Sequence, residues 1–238
     1  MRWFKFPILL IALFIATSCN DKKGTTQSSK DLSTAIASSA DVKAEKDKKE
    51  DLTKHGIALN SNNVLGGLKA GDTAPDFTMQ DQNGNTTSLS ASLKNGPVVM
   101  VFLRAEWCSF CVKHLQEFEE NIKSIHEKGD AQVIAVSPQQ KSYMKEFHEE
   151  HQLSYPILHD EDHSVMKDYK VFFHVTDKYN DYIEKAKGER IEVFNGNDEA
   201  VMPVPATYLI GQDGVIKYVH YDANYRKRSN VKELMLHL

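Results

Sequence analysis

The sequence contains only three cysteines, Cys19, Cys108 and Cys111. Small secreted proteins that depend on disulfides carry several cysteine pairs spread along a short chain, and this pattern is absent here. Cys19 follows an apolar segment near the N-terminus, whereas Cys108 and Cys111 form a single Cys-x-x-Cys. A structural disulfide framework is therefore excluded, and the Cys-x-x-Cys pair becomes the candidate for chemistry.

Long apolar stretches and an excess of basic residues are also missing. The apolar run at residues 7–16 is shorter than the roughly 20 residues that a transmembrane helix needs. The formal net charge is −4, which gives no indication of a nucleic-acid partner. Aromatic residues are absent between Phe14 and Phe77, so this part of the chain cannot bury enough apolar surface to fold by itself.

Residues 1–19 have the features of an export signal. Arg2 and Lys5 supply the basic residues, and the apolar run at 7–16 has the length of a signal-peptide core. Cys19 follows small residues, as in bacterial lipoprotein signals, where the cysteine is retained and lipidated after cleavage. Ala16 departs from the leucine expected in such signals, and an ordinary cleaved signal peptide is the alternative. We predict an extracytoplasmic protein, anchored by lipid at the periplasmic face of a bacterial membrane.

The remainder of the chain divides into two parts. Residues 20–64 are rich in Lys, Asp, Ser and Thr, and we predict a disordered tether. Residues 65–238 have the size of one globular domain. A flexible tether of this length has a reach on the order of 35 Å, so the domain would work close to the membrane.

Strands and helices alternate within residues 65–238. Asn83-Gly84 lies between two short extended pieces and predicts an N-terminal β-hairpin. Residues 98–103 form a continuous apolar run, as in a strand buried on both faces. Apolar residues then recur at spacings of three and four, which predicts one helix that ends at Gly129: Val112, Leu115, Phe118, Ile122 and Ile125.

The later part of the domain ends in a second hairpin. We predict strands at 132–136, 156–158, 206–210 and 215–220, with helices at 142–151, 163–169, 178–187 and from residue 230. Alternation early in the domain and a hairpin late in it indicate an α/β fold, with a central mixed β-sheet flanked by helices.

The Cys-x-x-Cys lies where a buried strand gives way to an amphipathic helix. Cys108 is predicted at the helix N-terminus, where free N–H groups and the helix dipole stabilise a thiolate. Thiols in such positions have their pKa lowered, and only the thiolate attacks disulfides. Cys108 is therefore predicted as the nucleophile, and Cys111, one turn along, as its partner in a redox disulfide.

Half of a zinc site is the alternative interpretation of a Cys-x-x-Cys. A tetrahedral zinc site needs two further ligands at defined spacing, and the domain has no other cysteine. We therefore predict a redox pair with no cofactor and no bound metal.

Pro205 precedes the predicted strand at 206–210. In this position it is similar to the cis-proline of thioredoxin-fold proteins, which lies against the reactive cysteines, and we predict a cis peptide bond there. Pro203 is a competitor two residues earlier.

Three motifs together resemble the redoxin group of thioredoxin-fold proteins. They are Gly-Asp-x-Ala-Pro-Asp-Phe at 71–77, Trp-Cys-x-x-Cys at 107–111, and Pro-Ala-Thr-Tyr-Leu-Ile with Asp-Gly at 205–214. The group includes the TlpA/ResA-like thiol–disulfide oxidoreductases and the alkyl hydroperoxide reductase/thiol-specific antioxidant (AhpC/TSA) family. The resemblance implies a thioredoxin-like fold in which Cys108 attacks, Cys111 resolves, and Trp107 and Pro205 contact the substrate.

The resemblance is incomplete at two places near the pair. Phe102 stands where thioredoxin has a buried aspartate, so a proton transfer from Cys111 to that carboxylate is in doubt. Ser109 and Phe110 replace the Gly-Pro of thioredoxin, at positions that tune reduction potential. Glu106 matches an acidic residue often found there, with no role assigned.

Thiol–disulfide exchange that reduces the disulfides of protein partners, with electrons from a membrane or periplasmic thiol donor, is the main functional hypothesis. Peroxide reduction is the second, because residues 133–171 are similar to peroxiredoxins. Ala105 and Val101 depart from the Thr or Ser and the Pro that peroxiredoxins place before the reactive cysteine, and Arg104 or Arg190 would have to bind the peroxide.

Copper delivery is a third, non-enzymatic hypothesis. Such proteins use a Cys-x-x-x-Cys with a distant histidine, and two histidine pairs are available at His148/His151 and His159/His163. Aromatic residues before Pro205, including Tyr179 and Tyr182, indicate an insertion that either shapes a substrate groove beside Cys108 or packs an extra helix on the sheet.

Overall fold

The computed structural model describes residues 52–238. The predicted signal at residues 1–19, lipidation of Cys19 and most of the predicted tether lie outside the described residues and stay predictions.

Nine β-strands occur within residues 52–238. They are β1 (Thr78–Asp81), β2 (Thr86–Ser88), β3 (Val98–Phe102), β4 (Gln132–Ser137), β5 (Ile157–His159), β6 (Phe172–His174), β7 (Val201–Pro203), β8 (Ala206–Ile210) and β9 (Ile216–Tyr221). Seven of them form one sheet in the order β2-β1-β5-β4-β3-β8-β9, and β6 pairs with β7 in a separate two-stranded sheet. β3 runs parallel to β4 and antiparallel to β8, so the central sheet is mixed, as predicted.

The helices connect and flank these strands. They are α1 (Leu89–Ser92), α2 (Ser109–Gly129), α3 (Lys141–Glu150), α4 (Ser164–Asp168), α5 (Asp177–Lys187), α6 (Ile191–Asn195) and α7 (Val231–Leu234), followed by a 3₁₀ turn at Met235–His237. Within residues 52–238, none of the helices is long and apolar enough to cross a membrane.

The central strand β3 explains why the sheet is covered on both faces. All five of its residues are buried, which matches the continuous apolar run in the sequence. Val99 and Val101 pack on the face that carries α2, α3 and α7, whereas Met100 and Phe102 pack on the face that carries α4 and the β6–β7 sheet. The reactive pair therefore lies on a rigid, doubly covered support.

Local sequence signals set the ends of the main elements. The predicted hairpin is confirmed, since β1 and β2 pair antiparallel around the Asn83-Gly84 turn. The long helix α2 ends at Gly129, as predicted, and Asp130 caps it in the left-handed conformation with φ 51°. Thr176 caps the N-terminus of α5 by accepting a hydrogen bond from the Tyr179 N–H.

The packed domain begins earlier than the predicted boundary at residue 65. Ile57 is buried and bridges to Val175, and Val64 bridges to Phe172. These contacts are made by isolated apolar residues without helical or strand periodicity, so the sequence pattern did not reveal them. Residues 52–64 are therefore part of the folded body and not of a tether.

The predicted cis peptide at Pro205 is wrong, because residues 52–238 contain no cis peptide bond. Pro205 is buried and leads directly into β8. The preceding Val204 donates its N–H to the carbonyl of Val171, the residue before β6, at 2.7 Å. A trans bond is the lower-energy isomer for a proline, and the extended run from β7 into β8 accommodates it.

Candidate active site

Cys108 lies at the junction between β3 and α2. It is the N-cap residue of α2 in an extended conformation, and its side chain makes no capping hydrogen bond. Its carbonyl accepts from the Cys111 N–H at 2.7 Å and from the Val112 N–H at 3.0 Å, which closes the first turn. The thiol is therefore at the positive end of a helix of 21 residues, as the sequence pattern predicted.

The two cysteines are free thiols, and both are buried. Cys108 is 5% exposed and lines a surface groove, whereas Cys111 is 3% exposed and is not among the residues that line it. A partner that enters the groove contacts Cys108 first. Cys108 is therefore the outer cysteine of the pair, and Cys111 is the inner one.

Arg228 approaches both sulfurs from the loop before α7. Its Nη2 donates to Cys111 Sγ at 3.2 Å and lies 3.9 Å from Cys108 Sγ. Its Nε lies 3.5 Å from the Phe110 carbonyl oxygen. Sequence analysis did not predict this residue, because it is 117 residues from Cys111 and belongs to no motif.

The cations around the pair stabilise a thiolate between the two sulfurs. Burial raises the pKa of Cys111, but the hydrogen bond from Cys108 and the charges of Arg228 and Arg104 outweigh burial and lower it to about 5. The hydrogen bond to Cys111 and burial raise the pKa of Cys108. The two thiols therefore share one proton and hold one negative charge between them, and the attacking role of Cys108 stays a prediction.

Arg104 lies behind the pair and has an unusual environment. It is 1% exposed, and none of its guanidinium nitrogens has a hydrogen-bond partner within the described part of the chain. Its Cζ lies 4.3 Å from the ring centre of Tyr225, 5.0 Å from that of Tyr179 and 5.8 Å from that of Trp107. The aromatic faces compensate part of the charge of a guanidinium whose N–H donors are buried.

Aromatic side chains form most of the groove beside Cys108. The groove has a volume of about 260 Å³ and is lined by Trp107, Phe110, Tyr179, Tyr182 and Tyr225, together with Arg104, Lys187 and apolar residues of α5. Both predictions for the insertion thus apply: α5 packs on the domain through Ile183, and its tyrosines shape the groove. Tyr225 belongs to the same loop as Arg228, and no sequence signal indicated it.

Glu106 is held away from solvent next to the groove. Its N–H donates to Gln139 Oε1 at 2.9 Å, and the Gln139 amide donates back to the Glu106 carboxylate. Burial raises the pKa of Glu106. Gln139 therefore fixes the loop that carries Trp107, which indicates a positioning role for this carboxylate.

A buried network fixes the loop that carries Arg228. Ser229 Oγ donates to Thr207 Oγ1 at 3.0 Å and lies 2.9 Å from His114 Nε2. Burial and the Arg228 charge lower the pKa of His114 to about 3, so this histidine is neutral. The network ties the loop to β8, directly after Pro205.

The two arginines predicted as peroxide ligands, Arg104 and Arg190, have different surroundings in the structure. Arg190 pairs with Asp181, Glu184 and Glu192 at 2.8–3.0 Å, so its guanidinium already has three carboxylate partners. Arg104 lies beside the pair, as described above. Within residues 52–238 no group of three or more His, Cys, Asp or Glu side chains could hold a metal ion.

Three of the four histidines in the two predicted pairs have a polar neighbour, whereas both ring nitrogens of His159 are buried without a hydrogen-bond partner within residues 52–238. His148 lies 3.1 Å from the Tyr155 carbonyl oxygen, and His151 lies 3.2 Å from the Gln116 amide. His163 lies 2.9 Å from the Asn197 amide. These contacts leave the copper hypothesis without a supporting observation.

Comparison with known proteins identifies relatives of this site and fold. Residues 70–219 match the AhpC/TSA family. Chloroplastic peroxiredoxin Q of Oryza sativa subsp. japonica is 27% identical over 172 residues, which cover 72% of this chain and 67% of the rice protein. Chloroplastic peroxiredoxin Q of Triticum aestivum is 26% identical over 178 residues, 75% of this chain and 70% of the wheat protein.

Solved structures show the same fold. Peroxidoxin BcpB from Mycobacterium tuberculosis has a TM-score of 0.55 at 23% identity, covering 71% of this chain and 96% of that chain. A proposed protein disulfide isomerase from Bacteroides thetaiotaomicron has a TM-score of 0.50 at 19% identity, covering 72% and 89%. The chain therefore belongs to the AhpC/TSA family and is a thiol oxidoreductase with a thioredoxin-like fold.

Proposed function

We propose that the protein reduces disulfide bonds of protein partners through Cys108 and Cys111. The observation that carries this proposal is the arrangement of the two sulfurs: one lines an aromatic groove, and the other lies behind it within 3.2 Å of a guanidinium nitrogen. An outer attacking thiol with an inner, cation-stabilised thiol is the arrangement that two successive disulfide exchanges require.

The reaction begins when the shared proton moves from Cys108 to Cys111. The Cys108 thiolate attacks one sulfur of the partner disulfide, forms a mixed disulfide and releases the other partner sulfur as a thiolate. Cys111 then passes its proton to the released partner thiolate and, as a thiolate stabilised by Arg228, attacks Cys108 Sγ. This step forms the Cys108–Cys111 disulfide and releases the second partner thiolate, so two electrons have passed to the partner.

A thiol donor must then reduce the Cys108–Cys111 disulfide. We propose a membrane or periplasmic donor, since the predicted lipid on Cys19 would keep the domain near the membrane. Replacement of Cys19 by alanine is expected to abolish incorporation of radiolabelled fatty acid and to release the protein from the membrane fraction. Unchanged labelling and membrane association in this variant would contradict the lipoprotein proposal.

Peroxide reduction is the second candidate, and two observations favour it. The relatives named peroxiredoxin Q match most of the domain, and Arg104 supplies buried donors beside the thiols. Ala105 and Val101 are both buried and offer no hydroxyl group to a peroxide, however. The volume of the groove, about 260 Å³, is also larger than hydrogen peroxide needs. Disulfide exchange with a protein partner therefore accounts better for the groove.

Turnover with a common reductant separates these two candidates. With dithiothreitol as donor, we expect the protein to reduce a disulfide-bonded model protein faster than it consumes hydrogen peroxide at equal substrate concentration. The Cys19→Ala variant should behave like the original chain, because its two remaining thiols carry the reaction. Faster consumption of peroxide would contradict the proposal in favour of the peroxidase.

A further inference from the structure

The rim of the groove beside Cys108 exposes large aromatic side chains. Tyr182 is 62% exposed and Phe110 is 38% exposed, although both are large apolar residues on a folded domain. Each is supported by a neighbouring ring: Tyr182 packs against Tyr179 at 5.9 Å between centroids, and Phe110 against Tyr225 at 5.8 Å. Rigid exposed rings of this kind are typical of binding hot spots.

The groove is also positively charged. Arg104 and Lys187 are among its lining residues, and no aspartate or glutamate is. Two of the three acidic residues of α5, Asp181 and Glu184, pair with Arg190. The Glu106 carboxylate accepts a hydrogen bond from the Gln139 amide and also interacts with the charge of Lys187. The charge that faces a bound ligand is therefore cationic.

The guanidinium of Arg104 favours a ligand that carries a hydrogen-bond acceptor. Arg104 is among the residues that line the groove, and its buried guanidinium nitrogens have no hydrogen-bond partner of ordinary geometry within residues 52–238, with the Tyr179 side chain as their polar neighbour. A buried charged donor without an acceptor is costly, and a carboxylate or carbonyl oxygen that enters the groove removes this cost.

We propose that the groove binds an extended peptide segment of the partner, in which a bulky apolar residue and an acidic residue flank the attacked cysteine. The apolar side chain would pack between Phe110 and Tyr182, and the acidic group would face Lys187 and the Arg104 donors. The volume of about 260 Å³ suits one or two side chains better than a larger folded element. This inference rests on the proposed disulfide exchange and specifies its substrate class.

Four mixed-disulfide peptides of equal length test the inference. Each carries one cysteine in a disulfide with mercaptoethanol, a small uncharged leaving group, and the flanking residues are Phe and Glu, Phe and Lys, Gly and Glu, or Gly and Lys. The full chain with Cys19→Ala is reduced and mixed with each peptide, and oxidation is followed by tryptophan fluorescence. The disulfide of two mercaptoethanol molecules serves as a featureless reference substrate.

The Phe/Glu peptide is expected to react at least about tenfold faster than the Gly/Lys peptide, which corresponds to about 1.4 kcal/mol. Tyr182→Ala should reduce the preference for Phe, and Lys187→Glu should reverse the preference for Glu over Lys. Leu236→Ala, which removes a 75% exposed side chain that does not line the groove, is the matched control and should keep both preferences.

Two results would overturn the inference. One of them leaves the proposed disulfide exchange intact, and the other rejects it as well. Equal rates for all four peptides, with reaction of the reference disulfide, would reject the groove specificity and leave disulfide exchange intact. Failure of the reduced protein to react with any disulfide would reject the proposed function together with the inference.

Discussion

The Cys111→Ser variant is expected to accumulate a stable mixed disulfide between Cys108 and its partner. Cys108 lines the groove and can still attack, but the second exchange requires a sulfur at position 111. Turnover should fall to the rate measured without protein. The measurement is non-reducing electrophoresis of the variant after incubation with a disulfide-bonded model protein, followed by mass spectrometry of the adduct.

The Cys108→Ser variant is the matched control for this trap. It leaves the thiol of Cys111, which is 3% exposed and does not line the groove, so no adduct is expected. This comparison is decisive because Cys111 has the lower pKa of the two thiols. Adducts on Cys111 in the Cys108→Ser variant, and none on Cys108 in the Cys111→Ser variant, would show that acidity and not access selects the attacking sulfur.

Replacing Arg228 with glutamine is expected to raise the pKa at which the reduced pair forms its first thiolate. The guanidinium nitrogen lies 3.2 Å from Cys111 Sγ, and an opposite charge at this distance lowers a pKa by about 1–3 units. The original pair should therefore be ionised above about pH 5, whereas the variant should ionise at higher pH. Absorbance of the thiolate near 240 nm, recorded against pH in the Cys19→Ala background, measures both values.

Two further variants separate the charge of Arg228 from its packing. Arg228→Lys keeps a cation and should retain most of the lowered pKa. Arg226→Gln changes a neighbouring arginine of the same loop, which stacks on Tyr225 at 5.0 Å, and should leave the titration unchanged. An unchanged titration in Arg228→Gln would contradict the assignment and would attribute the low pKa to the helix dipole and Arg104.

The sequence predicted the parts of the site that local pattern controls. Cys108 and Cys111 follow a buried strand and begin an amphipathic helix, and this succession determines their position at the N-terminus of α2. The mixed sheet followed in the same way from alternating strands and helices. Phe102, which departs from thioredoxin, packs on the face of the sheet opposite the cysteines, against Tyr169 at 5.5 Å.

The features that the sequence did not predict depend on contacts between distant residues. Arg228 and Tyr225 reach the pair from the loop before α7, and neither has a motif or periodicity. The β6–β7 sheet consists of strands of three residues, which are too short to show alternation. The stabilisation of a thiolate in the cysteine pair depends on two arginines whose proximity exists only in the folded chain.

The central claim is that Cys108 reacts with a peptide disulfide in preference to hydrogen peroxide. Stopped-flow fluorescence of the reduced Cys19→Ala chain reports this first step directly, because Trp107 lies next to Cys108 and lines the same groove. We expect a fast fluorescence change with a mixed-disulfide peptide and a slow one with an equal concentration of hydrogen peroxide. A faster change with peroxide would contradict the account and identify a peroxidase whose resolving thiol is Cys111.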